Sequence, residues 1–389
     1  MLLDKSFNAS QAVATCAVVE RYSAVRFVLI MLGCVIAVSG MLANGLLLWL
    51  LVAKSNRAIY STLCLRLLAL FDAFLCLGYV LMFGFDALTF YFKSELLFTV
   101  IFTHLKWTFI ISRVVQMIIP LLLIFGQLER WMWLEEQRTR LKEVILNPVG
   151  QKVCFLIIIL FCLVCRLPMV WTMQIADYPN CTDHFRSKSV EPTQLMFDPL
   201  YHFYDFYLLT GFQIFVQFIV LLLLNVLIVR RLVFTRNQAR RSTVKYYELK
   251  GLKSCELTVI TNIDVTIQNY RQLQQVRRRI RNAISTMVTI VTAYLICSVL
   301  HLTLTIAERV STHLIITEDQ QVFHEIYVSL GDMLSFLFML SSASRLAIYY
   351  LCNAELREDI QNLFVSEREH TEQEQQQQQQ QHQQQCGLI

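Results

Sequence analysis

Seven apolar windows, each long enough to cross a bilayer, constrain this chain more than anything else in it. They fall at roughly 24–52, 61–84, 98–133, 152–175, 204–231, 284–307 and 323–351. A hydrocarbon core takes about 20 apolar residues per helix. Backbone polar groups inside it must be satisfied within the segment, which leaves helices as the solution for isolated apolar runs. With 56% hydrophobic and 16% charged residues, the chain is too apolar for an ordinary soluble domain. The expected fold class is all-α, a seven-transmembrane helix bundle with a short amphipathic surface helix after the seventh span. The third window is longer than a span requires, so its ends should protrude or tilt. The first window follows more than 20 residues and precedes no small-residue cleavage site, so it reads as a retained helix rather than a signal peptide.

Charge sets an expected orientation, because positive residues collect on the cytoplasmic side. The segment 230–282 holds thirteen Lys and Arg against Glu248, Glu256 and Asp264. Lys54 and Arg57 follow the first window, and Arg138, Arg140, Lys142 and Lys152 follow the third. The alternate connections hold little beyond Lys93, Arg186, Lys188 and Arg309. This predicts a multi-pass plasma-membrane protein with its N-terminus outside and its C-terminus cytoplasmic. Two glycosylation sequons, at Asn8 and Asn180, both fall on the predicted exterior. The net charge of +5 is read as retention of topology and attraction to anionic membrane lipid, with no nucleic acid as partner. Of the twelve cysteines, most lie inside apolar windows, where Cys packs as a small apolar residue. Cys16 and Cys181 lie outside, where a disulfide persists.

Four regions follow. Residues 1–23 form an extracellular tail, 24–351 the bundle, 352–366 the amphipathic surface helix and 367–389 a disordered Gln-rich cytoplasmic tail. Asn353 suits a helix cap, and Leu356, Ile360, Leu363 and Phe364 form one apolar stripe beyond it. The glutamines from Gln375 to Gln385, broken by His382, are low in complexity. Between the fifth and sixth windows, Tyr270, Leu273, Val276 and Ile280 have near-helical spacing. Before them, Leu257, Val259, Ile263, Val265 and Ile267 fall on alternate positions, as in a strand.

Several local marks point to one family. The first window carries Gly40-Met41-Leu42-Ala43-Asn44 and the second Leu68-Ala69-Leu70-Phe71-Asp72. The third closes on Glu129-Arg130-Trp131 and the seventh on Arg345-Leu346-Ala347-Ile348-Tyr349. In this order, over about 24–365, the chain resembles the rhodopsin-like (class A) G-protein-coupled receptors. Those receptors hold an Asn in helix one, Leu-x-x-x-Asp in helix two, an acid-Arg-aromatic triplet closing helix three and Asn-Pro-x-x-Tyr in helix seven. The chain departs from the pattern as well. The fifth window has no proline, Cys297-Ser298-Val299-Leu300 stands where the family has Cys-Trp-x-Pro, and Leu105 stands near the family's helix-three Cys. The resemblance is therefore to a divergent branch, closest in flavour to invertebrate FMRFamide-like neuropeptide receptors and nematode chemoreceptor relatives.

The resemblance implies roles for particular residues. Glu129 would hold Arg130 at rest and release it to a heterotrimeric G protein, with Tyr349 part of the same switch; the plainer alternative is an Arg snorkelling at a helix end. Asn44, Asp72 and Arg345 would form an intramembrane polar core. Arg345 stands where the family has an Asn beside a sodium-binding Asp, so Asp72 and Arg345 are expected to pair. The family's disulfide has lost its helix-three partner, leaving Cys16–Cys181 as the expected bridge. Arg113 lies about 25 Å outward of Arg130 along a helix. With Asp205, Asp332 and Glu325 it would line a ligand pocket, the alternative being a set of solvated interface charges; Arg166 is equally ambiguous. Cys352 suits palmitoylation, and the terminal Cys386-Gly387-Leu388-Ile389 loosely fits a prenylation pattern.

The functional expectation is a receptor for an extracellular ligand, with no cofactor and no enzymatic activity. A neuropeptide leads, since exterior acids such as Asp177, Asp183, Glu191, Asp198, Glu318 and Asp319 attract a cationic peptide. A small-molecule chemoreceptor is the alternative within the superfamily, and a transporter or channel the alternative outside it. An amine ligand is disfavoured because the family's amine-binding acid is absent near Ser112. An opsin is disfavoured because 323–351 holds no Lys. A zinc hydrolase is disfavoured because no His-x-x-x-His occurs.

Overall fold

The second and third apolar windows fold into helices that are longer, and more closely joined, than their hydropathy alone marks out. The computed structural model describes residue 16 and residues 23–53, 63–134, 140–252, 282, 284–300, 302–303, 320–352, 357–358 and 360–361; the side chains of 141, 144, 206, 214, 235–252 and 320–330 are outside that description. The long helices are α1 (Ala24–Ala53), α2 (Leu63–Phe92) and α3 (Glu95–Leu134). The short α4 (Arg140–Leu146) and then α5 (Pro148–Arg166) follow. After a hairpin come α6 (Gln217–Leu252), α7 (Ile284–Leu300), α8 (Gln320–Ala343) and α9 (Arg345–Cys352). Among the described residues, six helical stretches are long and apolar enough to cross a membrane, the last being Gly331–Cys352, which takes in the turn at Ser344. The sixth window appears as α7, about 26 Å long at 1.5 Å per residue, with most of 301–319 outside the described residues.

Three local boundaries differ from the sequence expectation. Helices α2 and α3 are joined by Lys93 and Ser94 alone. Lys93 closes α2 in the left-handed region (φ 51°), its amide donating to the Thr89 carbonyl. The fourth window does not stay helical to 175. Leu167–Trp171 tightens into a 3-10 turn, and Met173–Asp177 becomes strand β1, paired antiparallel with β2 (Lys188–Pro192). The all-α expectation is corrected to that extent: an apolar run reads alike as helix end or strand, and Pro168 ends the α-helical hydrogen bonding. The chain then enters α6 through π-helical turns at Phe203–Thr210 and Phe212–Val216.

The chain divides into two compact units, Met1–Ser242 with Val291–Ser344, and Thr243–Ile290 with Arg345–Ile389. In the first unit, α1 packs on α2, α2 on α3, α8 on both α1 and α2, and α3 on α5. Two thirds (67%) of the apolar window of α3 is buried, against 17% for α5, so α3 is the centre and α5 a flank. The flank is inverted relative to a water-soluble helix. Along α5 the buried residues are Gln151, Phe155, Cys162 and Arg166, while Leu156, Ile157, Leu160 and Val164 are exposed. Polar groups inside and apolar groups outside suit a lipid surround, where satisfying polar groups within the protein matters more than hiding hydrocarbon. The crossing of α1 and α8 needs a glycine, since a Cβ on Gly40 would lie 2.9 Å from the Ala343 Cα. In the second unit, Ile284, Met287 and Ile290 are buried, as are Arg345 and Tyr349.

Candidate functional site

Midway along α3, the bundle leaves a cavity of about 150 Å³ between α2, α3 and α8. The α2 wall is Gly78, Tyr79, Met82 and Phe83, at a one-residue π expansion spanning Val80–Gly84. Such π turns re-aim side chains and recur at functional sites. From α3 come Phe109, Ser112, Arg113 and Gln116, and from α8 Leu334, Ser335, Phe338 and Met339. Helices α2 and α3 approach closely here, for a Cβ on Gly78 would meet the Ser112 Oγ at 2.5 Å. Arg113 is exposed and is the only charged side chain lining the cavity among the described residues. Its guanidinium carbon lies 5.1 Å from the centre of the Phe109 ring, one turn earlier. Arg113 stands eighteen residues inside the start of α3 at Glu95, about 27 Å along the helix. It is nearer the middle of its helix than the sequence suggested.

The four expected pocket residues are not brought together as one set. Asp332 follows the lining residue Gly331 but pairs with Arg26 of α1, whose Nε donates to Oδ2 at 2.9 Å. Asp205 is engaged by Arg166 of α5, whose Nη1 donates to Oδ1 at 3.0 Å. Glu325 is on α8, with its side chain outside the described residues. Arg166, ambiguous in the sequence, is 4% exposed and anchors a polar chain. Its Nη2 donates to the Gln213 Oε1 at 2.8 Å, and the Gln213 Nε2 donates to the Gln116 carbonyl at 3.4 Å. Pro120 explains the last bond. Proline has no N–H, so the carbonyl four residues earlier, that of Gln116, lacks its helical donor. A side chain from the π-helical segment supplies it.

At the other end of α3, Glu129 and Arg130 are 1% and 2% exposed. An Arg130 amino group lies 3.6 Å from the Glu129 Oε1. The Gln151 Nε2 of α5 donates to that same oxygen at 3.2 Å. The Arg130 guanidinium also lies over the Trp133 ring, 3.9 Å from its centre. One turn earlier, the Gln127 Nε2 donates to the Asn225 Oδ1 at 3.1 Å, and the Asn225 Nδ2 donates to the Thr292 Oγ1 at 3.0 Å. Polar side chains thus link α3 to α5, α6 and α7.

The remaining sequence candidates fall as follows. Asn44 is fully buried, its Nδ2 donating to the carbonyls of Gly40 and Ser342 at 2.9 and 3.0 Å. Asp72 is fully buried in the first unit, and Arg345 and Tyr349 are buried in the second. Cys16 and Cys181 form a disulfide with Cα atoms 5.0 Å apart. Asn180, beside it, is exposed in the turn after β1. Asn8, the 257–267 alternation, the 270–280 spacing, the Gln-rich tail and most of 352–366 lie outside the described residues. Cys352, at the end of α9, is a free thiol.

Four of the loop acids thought to attract a cationic peptide have local work, while Glu318 and Asp319 lie outside the described residues. Asp183 and Asp198 accept from the Phe185 and Leu200 amides as caps. Asp177 lies 3.7 Å from Lys188. Glu191 accepts from the Tyr178 hydroxyl, a bond that holds that phenol above its usual pKa. The hairpin packs down through Ile175 and Phe185 onto Phe98, Ile101 and Phe102 at the start of α3.

Sequence reasoning missed Arg26, Gln151, Gln213 and the Gln127–Asn225 link. A usable signal existed, since each is a polar residue in or beside an apolar window, and Pro120 announces an orphaned carbonyl. Among the described residues no cluster of His, Cys, Asp or Glu is arranged to hold a metal ion. No protein-family model matches the chain, and no curated protein is significantly similar to it.

Proposed function

We propose that this chain is a seven-helix receptor that takes an extracellular ligand in the cavity beside Arg113 and signals to a heterotrimeric G protein. One observation carries the reading. The Glu129–Arg130 pair is buried at the end of α3, braced by Gln151 and Trp133, while the same helix borders an accessible cavity farther along. A buried acid–Arg pair at a helix end is costly unless it serves a purpose. Its release in a second packing of the helices would present a cation to a partner. The Cys16–Cys181 disulfide and the exposed Asn180 support an exterior placement of the hairpin end, since disulfides persist in oxidising compartments. A plasma-membrane location with the C-terminus cytoplasmic follows from the charge asymmetry. Tyr349 and the Asn44, Asp72 and Arg345 residues belong to the machinery in this reading, and Cys352 to a lipid anchor.

A neuropeptide is the first ligand class and a small molecule the second; transport or conduction is the reading outside this class. The test is nucleotide exchange on purified Gα subunits with the receptor in nanodiscs, challenged with peptide and metabolite libraries. Exchange that rises with a ligand and vanishes in Arg130→Ala, at unchanged surface expression, supports the receptor. No exchange on any Gα class, together with ion or solute flux through proteoliposomes, would establish the alternative.

A further inference from the structure

We infer that the segment Gln194–Phe203 lies in the membrane interface on the hairpin side, with Met196, Phe197, Leu200 and Phe203 against the acyl-chain boundary of zwitterionic lipid. This rests on the reading of the bundle as membrane-spanning. By sequence these residues precede the fifth window and belong to an aqueous loop. Level comes first. Along α5 and the 3-10 turn that continues it, Leu160, Val164, Leu167 and Trp171 follow at the spacing of a single helix face, and all four are exposed. That face is apolar throughout and closes on a tryptophan, a side chain that collects at the membrane–water boundary. After the hairpin the chain returns to this level. The Thr193 amide donates to the Thr172 carbonyl at 2.9 Å, and the Thr193 hydroxyl donates to the Trp171 carbonyl at 2.6 Å. Beyond the segment, the Tyr204 hydroxyl donates to the Cys165 carbonyl at 2.8 Å. Residues 194–203 are thus fastened at both ends beside the last turns of α5.

Within the segment, apolar side chains face outward. Leu200 is 75% and Phe197 61% exposed, and Met196 and Phe203 are exposed as well, while Leu195 and Tyr201 are half-buried. The main chain is largely closed on itself. In the 3-10 turn Gln194–Phe197 and the helical turn Pro199–His202, the amides of Met196, Asp198 and His202 donate to the carbonyls of Thr193, Leu195 and Asp198. The Leu200 amide donates to the Asp198 carboxylate, and Pro199 has no N–H to satisfy. Water can satisfy an open loop, whereas contact with acyl chains favours a closed main chain. Charge selects the lipid. No Lys or Arg occurs between Lys188 and Arg230, and Glu191, Asp198 and Asp205 fall in that stretch. An anionic headgroup layer would repel these acids, so the attraction is apolar contact with lipid of no net charge. Lipid that covers the adjoining face of α5 continues over the segment.

The experiment uses the full chain in phosphatidylcholine nanodiscs, with a nitroxide at one site at a time and neither ligand nor G protein present. The label is carried on Leu200→p-acetylphenylalanine or Phe197→p-acetylphenylalanine, so the twelve cysteines stay native. Both sites are exposed, and Phe203 serves if either variant folds poorly. The same substitution at Asn180, in the exposed hairpin turn, and at Leu160, exposed within α5, gives the water and lipid references. Collision with oxygen, which concentrates in hydrocarbon, is compared with collision with a nickel chelate, which stays in water. The oxygen-to-nickel ratio at Leu200 and Phe197 should exceed that at Asn180 by on the order of tenfold, since a polar chelate is excluded from hydrocarbon. Adding phosphatidylserine should leave the ratio unchanged. A ratio equal to that at Asn180, with Leu160 in lipid, overturns the inference and leaves the membrane reading; Leu160 in water removes both. A ratio that rises only with phosphatidylserine would mean headgroup attraction and overturns it. With two chains per disc, Leu200 labels that lose oxygen access and broaden one another assign the face to a second copy, which also overturns it.

Discussion

The two halves of α3 are built on opposite plans. Toward the hairpin, buried residues are spaced, as at Phe98, Ile101, Phe102, Ile110 and Ser112, and the helix borders open space. From Val114 to Met132 burial is nearly continuous, and the polar groups Gln127, Glu129 and Arg130 are enclosed with partners from α3, α5 and α6. Pro120 stands between the halves, where a carbonyl is handed from the helix to Gln213. One half has room to admit a group, and the other has polar contacts whose rearrangement would be felt by several helices.

The largest effect should come from the closed half. Glu129→Ala leaves the Arg130 charge without its acid in a low-dielectric site, a loss of about 3–5 kcal/mol by comparison with other buried pairs. Thermal unfolding in detergent should register it, with Glu129→Gln milder because Gln151 and Trp133 remain. A wild-type melting curve for Glu129→Ala would break the comparison at its strongest point. Next, Leu122, fully buried in the closed half, should cost about 2–4 kcal/mol on truncation to Ala. Phe109→Ala, which merely enlarges an existing cavity, should cost about 1 kcal/mol or less despite removing more atoms. Equal losses would mean that the halves are packed alike.

Cys16→Ser should reduce stability by about 2–4 kcal/mol, the usual range for a disulfide, because the bridge closes a loop spanning 165 residues. Peptide mapping without reductant should recover the Cys16–Cys181 pair in the wild type, and two unlinked thiols would refute the bridge. The smallest effect concerns the junction. Pro120→Ala restores the missing amide, so the Gln116 carbonyl no longer needs Gln213. A double-mutant cycle with Gln213→Leu should show coupling of about 0.5–1 kcal/mol, the size of one neutral hydrogen bond. Strict additivity would mean that the 3.4 Å contact carries no energy.

Hydropathy located the six described helices that are long and apolar enough to cross a bilayer, because such a helix declares itself within about 20 residues and this signal is local. It could not locate the ends. The α2–α3 connection shrank to Lys93 and Ser94, and the fourth window turned into a hairpin, because apolar runs of a few residues do not distinguish helix, strand and close turn. Glu129 and Arg130 were legible as a pair since they are neighbours in the chain, and Cys16 and Cys181 since few cysteines lie outside the apolar windows. The sequence could not tell which charge meets which across the bundle. Arg26 meets Asp332, 306 residues away, and Arg166 meets Asp205, 39 residues away, while Arg113 lines the cavity. The sequence alone thus determined that the chain holds membrane-length helices and singled out some of the polar residues they bury, Asn44, Asp72, Glu129 and Arg130 among them. Only the tertiary structure decided the pairing of those residues and the chemistry of the space between them. Pairing depends on helix rotation, on the π expansion of α2 and on close approaches such as Gly40 to Ala343, all set by contacts distant in sequence.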